Sequence, residues 1–140
     1  MKIRIFLIAL FISFNFINAQ KVKLKNEKIS IDGKEVLKYE KIDMNNIVLY
    51  PIDKDSEIIQ ISRMDNETND IGDDYVKFYF IESKLKLESN SIGRRGWEYY
   101  IEWLVKNKVI DSDGILNKER VEQVVSRFDE NITVRTVHLK

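Results

Sequence analysis

Hydrophobic and polar residues alternate along the first half of the chain, after an apolar segment at its start. In residues 21–25 and 28–31 every second side chain is apolar, which is the period of a β-strand with one buried face. An Asp-Gly pair at 32–33 separates the second run from a third. Asp-Gly is a strong hairpin signal because a type I′ turn needs positive φ at both central residues. We therefore predict a two-residue hairpin that places Ile29 opposite Val36.

Further strands follow at short spacing and are joined by polar turns. They are predicted at residues 47–50, 57–61 and 75–81, and the apolar alternation continues beyond the third at Leu85 and Leu87. Proline cannot donate a hydrogen bond to a sheet, so we expect Pro51 at a strand end or an edge. The continuous apolar run at the end of the third of these strands, residues 78–81, predicts a strand that is covered on both faces. Together these segments predict an antiparallel β-meander.

The apolar period changes to that of helices in the last third of the chain. Between residues 96 and 108 apolar side chains recur at i, i+4, i+7 and i+8, and a second such face follows at 121–128. Asn117 is a suitable N-cap for the second helix. We also consider residues 133–139 as a candidate final strand. The predicted fold class is α+β, an antiparallel β-meander followed by a C-terminal helix pair.

Residues 1–19 have the pattern of a secretory signal peptide. Two basic residues precede an apolar run, and Ala19 offers a small residue before a cleavage point. Polar residues interrupt the run before it reaches the roughly 20 apolar residues of a membrane span. Ile17 is large for its position before the cut, which keeps an uncleaved anchor as the alternative. We expect a single domain at residues 20–140, exported to the periplasm or the exterior, with no membrane insertion after cleavage.

Composition narrows the classes of function. Without Lys2 and Arg4 the chain has 21 basic and 23 acidic side chains, which is a formal net charge of −2. That balance provides no basic field for nucleic acid or anionic membranes, so we expect no nucleic-acid partner. The chain contains no cysteine, so packing alone must stabilise the exported domain, without disulfides.

The Asp-Ser-Asp-Gly segment at residues 111–114 looks like the middle of a calcium-binding loop. An EF-hand loop needs oxygen ligands at its first, third, fifth and twelfth positions around a glycine at the sixth. With Gly114 at the sixth position, Val109 and Arg120 occupy the first and the twelfth. We therefore interpret the segment as a turn between the two helices, because aspartate, serine and glycine each favour turns.

An acidic stretch between two predicted strands is the better ion candidate. Hard cations such as calcium prefer sets of carboxylate oxygens. The spacing of these acids matches no known loop motif, and a charged loop is more often simply solvated. The candidates for calcium ligands are Asp65, Glu67, Asp70, Asp73 and Asp74.

Few residues in this chain suit catalysis or a cofactor. His138 is the only histidine and there is no cysteine, so a Cys-His pair or a multi-histidine zinc site is excluded. Glycine-rich phosphate loops and nucleophile-elbow motifs are missing from the sequence as well. We single out no catalytic residue, expect no cofactor, and keep a carboxylate-based hydrolase of envelope polymers as the alternative function.

The first predicted helix has an apolar surface that is too wide for a single packing contact. Tyr99 and Trp103 extend its apolar arc, and they lie one turn apart. One interpretation is that the sheet and the second helix cover both rings. In the other, the rings stay partly exposed and form an aromatic anchor for a partner. Arg94 and Arg95 precede this helix, and we expect them to pair with surface acids such as Glu98, rather than to bind a carboxylate or phosphate.

The beginning of the chain carries a resemblance to a group of proteins. A leader that ends in Asn-Ala-Gln is followed by KVKLKNEKISIDGKEVLKYEKI, aromatic-rich strands and a terminal helix pair. This pattern resembles small exported proteins of Bacteroidota-type bacteria that have no assigned activity. The resemblance implies export and carries over no catalytic residues.

Three functions follow from these observations as hypotheses. The leading one is an exported non-catalytic domain that binds a protein or an envelope component. The hydrolase is the second, and a small-ligand carrier that uses the interface between sheet and helices is the third. An enzyme requires a pocket with convergent acids, whereas a binding module requires an exposed apolar or aromatic patch.

Overall fold

A computed structural model of the protein describes residues 19–137. Within that range, seven antiparallel strands form one sheet, and each strand pairs with its neighbours in sequence. Three helices follow the sheet, which confirms the predicted α+β class with a meander followed by a helix pair. The elements are β1 (Val22–Lys25), β2 (Lys28–Ile31), β3 (Lys34–Lys41), β4 (Asn46–Pro51), β5 (Ile59–Met64), β6 (Tyr75–Phe80), β7 (Leu85–Ser89), α1 (Trp97–Lys106), α2 (Lys118–Phe128) and α3 (Ile132–Val137).

The Asp-Gly hairpin joins β2 to β3 as predicted, but its register differs beyond the turn. Asp32 and Gly33 have φ of 51° and 84°, the left-handed conformations of a type I′ turn. Ile29 pairs with Leu37 and not with Val36, because a register shift inserts one extra residue into β3. Val36 is thereby buried against the turn that precedes α2. A Cβ added to Gly114 of that turn would lie 2.6 Å from the Val36 carbonyl oxygen.

Strand β5 lies further along the chain than its apolar pattern predicts. It continues through Ser62 and Arg63, which pair with residues of β6. Ser62 donates a hydrogen bond to Asn46 over 2.6 Å, and the Arg63 guanidinium lies 3.8 Å from the centre of the Trp97 ring. Polar residues therefore extend this strand, because partners on other elements stabilise them. Pro51 stands at the end of β4, as predicted.

Strand β6 is not buried on both faces, although its apolar run predicts that it is. Phe78 and Phe80 are fully buried, whereas Tyr79 and Ile81 keep part of their surface in solvent. The burial therefore alternates along the strand, with the helices covering one face. Helix α1 places Tyr100, Ile101, Leu104 and Val105 in the core, and α2 adds Val121 and Val124.

The prediction of a final strand at residues 133–139 is wrong for the residues that the structure describes, because they belong to helix α3. The β7 edge that a further strand would need is already occupied. Asp129 Oδ1 accepts a hydrogen bond from the Glu88 amide over 2.9 Å, and the Glu130 amide donates to the Glu88 carbonyl over 2.8 Å. The chain then turns away from the sheet, and the Glu88 carboxylate accepts from the Thr133 amide in the first turn of α3. His138 lies outside the described residues.

Candidate functional site

A groove lies between helix α1 and the segment that leads into β1. Its volume is about 510 Å³. It brings together the two aromatic residues predicted to form an anchor and the two residues on either side of the predicted cleavage point. The lining side chains belong to Ala19, Gln20, Tyr99, Glu102, Trp103, Val105 and Lys106.

Tyr99 is the exposed member of the aromatic pair. Its side chain is on the outer surface of α1, and the residue is 42% exposed. The Arg95 guanidinium carbon lies 5.4 Å from the centre of the Tyr99 ring, within the range of a cation–π contact. The ring of Tyr100 meets it edge-on at 6.3 Å between ring centres. Tyr99 therefore offers a large apolar surface to solvent.

Trp103 is held from two sides and forms the floor of the groove. Its ring stacks on Phe78 of β6, with 5.6 Å between centres and 24° between planes. Phe128 at the end of α2 meets the same ring edge-on at 5.4 Å. The sheet and the second helix thus cover part of Trp103, and the rest of its half-buried surface faces the groove. The two rings predicted as one anchor therefore have different environments.

Charged side chains form the rim of the groove. Glu102 and Lys106 are both exposed and lie one helical turn apart on α1. The carboxylate of Glu98, one turn before Glu102, accepts a hydrogen bond of 3.4 Å from the Leu24 amide of β1. The groove thus combines an apolar floor with one acid and one base at its edge, which suits binding of an amphipathic surface.

Arg94 pairs with an acidic side chain as expected, but its partner is the buried Asp74 and not Glu98. Arg94 Nη1 donates to Asp74 Oδ2 over 3.1 Å, and its Nη2 donates to Asn45 Oδ1 over 3.4 Å. Arg94 thereby connects three loops, those after β3, β5 and β7. Arg95 lies over the Tyr99 ring instead.

The Asp-Ser-Asp-Gly segment forms a turn, and Asp111 organises it. The Asp111 Oδ1 atom accepts hydrogen bonds from the amides of Asp113 and Ile115, both at 2.9 Å. Gly114 has a φ of 79°, and its amide donates to the Asp111 carbonyl over 3.0 Å. Lys34 of the β2–β3 hairpin pairs with Asp113 at 2.7 Å. The acids of this segment therefore stabilise the local backbone and its contact with β3.

Most acids of the loop at residues 65–74 accept hydrogen bonds from the same loop. Asp65 accepts from the Glu67 amide, Asp70 from the Gly72 amide, and Asp73 from the Thr68 hydroxyl, each over 2.8 Å. Asp74 is buried and pairs with Arg94 outside the loop. Among residues 19–137, no group of three or more acidic or histidine side chains has the arrangement of a metal site.

The buried Glu88 and the partly buried Glu130 join β7 to the C-terminal segment, and the sequence pattern does not reveal this cluster. Burial opposes the ionisation of Glu88, but hydrogen bonds from Thr133 and the charge of Lys86 outweigh it and lower the pKa of the carboxyl. Burial also opposes the ionisation of Glu130, but hydrogen bonds from Ser89 and the Ser91 amide outweigh it and lower the pKa of this carboxyl. Both groups stay ionised at neutral pH, so neither supplies the protonated carboxyl that a glycoside hydrolase needs as its acid.

A second cavity of about 480 Å³ lies beside β3 and β4. Its polar side chains are largely paired with each other. Lys38 contacts Asp55 at 2.7 Å, and the Tyr50 hydroxyl donates to Glu40 over 3.2 Å. Burial and the bond to Glu40 raise the pKa of Tyr50, while the hydrogen bond and charge of Lys38 lower the pKa of Asp55.

The interface that a small-ligand carrier would use is filled by side chains. Phe78 and Tyr100 meet edge-on at 5.9 Å across it, and both are fully buried. The Tyr100 hydroxyl accepts from the Arg95 amide over 2.7 Å and donates to the Gly93 carbonyl over 3.0 Å. The interface therefore serves as the packed core.

Comparison of the chain with protein-family models, curated proteins and solved structures finds no match. In the part of the chain that the structure describes, no helix has the length and apolar character to cross a membrane.

Proposed function

We propose that the protein is an exported, non-catalytic domain that binds a protein or an envelope component through the groove along α1. The observation that carries this proposal is the position of Tyr99 and Trp103 in one cavity of about 510 Å³. One ring is exposed and available for contact, and the other is held from behind by Phe78 and Phe128.

The physical character of the groove supports binding by insertion of an apolar side chain. Its volume falls within the range of roughly 300–1,000 Å³ that is common for binding pockets. Tyrosine and tryptophan are enriched at binding hot spots because they bury a large area and lose little conformational entropy. Glu102 and Lys106 at the rim provide polar contacts that fix the orientation of a partner.

Export is the second part of the proposal, and the leader pattern of residues 1–19 supports it. Cleavage after Ala19 would make Gln20 the first residue of the mature protein. Mass analysis of the N-terminus of the native protein tests this step. A membrane-embedded species that retains Met1 would overturn it.

A Tyr99→Ala variant tests the binding site. Because Tyr99 is exposed, we expect the variant to keep its melting temperature and to lose capture of its partner from the native envelope by at least tenfold, about 1.4 kcal/mol. A photo-crosslinking residue at position 99 should also form a discrete adduct in cells. Tyr79→Ala, which removes a partly exposed ring from β6, is the matched control and should keep full capture. Unchanged capture by Tyr99→Ala would refute the proposed site.

A further inference from the structure

The mature protein would begin with a glutamine whose side chain and backbone nitrogen are both free. Gln20 is exposed, and it takes part in no hydrogen bond or ion pair with the other described residues. The next residue is held in place, since the Lys21 amide donates to Asp32 Oδ1 over 2.8 Å and the Lys21 carbonyl accepts from the Asp32 amide over 2.9 Å. Within the described part of the chain, the hydrogen bonds to the hairpin thus begin at Lys21, and Gln20 immediately precedes it.

We infer that Gln20 is a modification site, and that the mature protein begins with a pyroglutamyl ring at the wall of the groove. The inference rests on the proposed export and cleavage after Ala19, which releases the α-amine. The freed nitrogen attacks Cδ of its own side chain and closes a five-membered lactam. The Cδ–Nε2 bond breaks, and ammonia leaves with one proton from the amine. Atoms and charges balance with no oxidant, reductant or additional reactant.

The folded structure accommodates this ring without losing the hydrogen bonds between Lys21 and Asp32. Cyclisation uses the α-nitrogen and the side chain of Gln20, and neither group has a partner to lose among residues 19–137. The carbonyl of Gln20 and the amide of Lys21 stay intact, so the bond from that amide to Asp32 is retained. A free α-amine is neutral and nucleophilic in a substantial fraction of molecules near its ordinary pKa of about 7.7–8.0.

The modification changes the charge of the groove. Gln20, Tyr99 and Glu102 line the same cavity, so a free terminal amine would place a positive charge near the Glu102 carboxylate. The lactam removes that charge, as other blocking modifications of an N-terminus do. Glu102 is then available to a partner rather than to the protein's own terminus, and the wall beside Tyr99 becomes neutral.

Intact-mass and N-terminal peptide analysis of the native mature protein tests the inference. The expected species begins at Gln20 and is lighter by one molecule of ammonia, and Edman degradation is blocked. Treatment with a pyroglutamyl aminopeptidase should unblock it and give Lys21 as the first residue. A species that begins with an unmodified Gln20 would overturn the ring but keep the cleavage, whereas an intact Met1 would overturn both.

A Gln20→Asn variant is the matched control. Its side chain is one methylene shorter, so the same attack would close a strained four-membered ring. We expect this variant to be cleaved at the same bond and to keep a free, Edman-sequenceable asparagine. A native protein that is blocked without loss of ammonia, or a blocked Gln20→Asn variant, would show that a different modification is present.

Discussion

At the scale of single residues, Asp111 shows why an acidic motif need not be a metal site. Its Oδ1 atom accepts two backbone hydrogen bonds within the turn, and such bonds are the common role of aspartate in turns. The ligands missing at Val109 and Arg120 lead to the same conclusion from the sequence alone. A carboxylate that organises the backbone contributes to stability even where no ion binds.

We predict that Asp111→Ala lowers the free energy of unfolding by about 1 kcal/mol, the typical cost of losing a side-chain bond of the capping type. Calcium titrations should be the same for the wild type and the variant. Gly114→Ala should lower the free energy of unfolding by about 2–3 kcal/mol. Alanine is strained at this left-handed φ, and its Cβ would also lie too close to Val36. Urea unfolding and isothermal calorimetry measure both effects. Loss of a stoichiometric calcium site in Asp111→Ala would contradict the assignment of the turn.

At the scale of elements, a structural feature follows from the sequence pattern when the residues that determine it are close together in the chain. The turn at Asp32-Gly33 requires only its own two residues, and the cap at Asn117 requires the amide of Arg120, so both are predicted correctly. The bulge at Val36 forms where the strand meets the distant turn at Gly114. Contacts of this kind have no signature in the pattern of neighbouring residues.

The C-terminal segment is a clearer example of a structure that is determined by contacts between residues far apart in the chain. Its β-branched residues favour a strand, but Asp129, Glu130 and Glu88 together occupy the edge to which that strand would add.

For the candidate site, helical periodicity is sufficient to place Tyr99 and Trp103 on one side of α1. Periodicity cannot show that Gln20 lines the same groove, because Gln20 is far from α1 in the sequence.

The junction between β7 and α3 should make stability depend on acidic pH. Glu88 and Glu130 have lowered pKa values in the folded protein, against an ordinary value of 4.5. A depressed carboxyl pKa contributes stability above the unfolded-state value, and the contribution is lost as the pH falls through the folded-state value. We expect the free energy of unfolding to decline below about pH 4.5 for this reason.

The variant Glu88→Gln tests which group is responsible. It should lower the free energy of unfolding at neutral pH by about 1.5–3 kcal/mol, the usual range for hydrogen bonds to a charged group, and flatten the acid dependence. Urea unfolding between pH 7 and pH 3 gives both quantities. Glu122→Gln, which removes an exposed acid from α2, is the control and should leave both nearly unchanged. An unaltered acid dependence in Glu88→Gln would show that other carboxyls control it.

At the scale of the whole molecule, later segments of the chain contact both edges of the sheet. Helix α1 lies against β1, where Glu98 accepts from the Leu24 amide, while Asp129 and Glu130 bond to the backbone of β7. Covered edges restrict pairing with other chains. The same contacts fix α1 relative to the sheet, so the helix that carries Tyr99 and Trp103 is held in one position. The proposed binding face is therefore a preorganised surface.

This arrangement predicts that the two aromatic residues of the groove differ in their effect on stability. Trp103→Ala removes a ring that packs on both Phe78 and Phe128, and we expect a loss of about 2–3 kcal/mol and a melting temperature lower by about 10 °C. Tyr99→Ala removes an exposed ring and should change stability by less than about 1 kcal/mol. Thermal and urea unfolding of both variants measure the difference, and Trp103→Phe should recover part of the loss. Equal losses for the two alanine variants would mean that Tyr99 belongs to the core and that its substitution cannot report on binding alone.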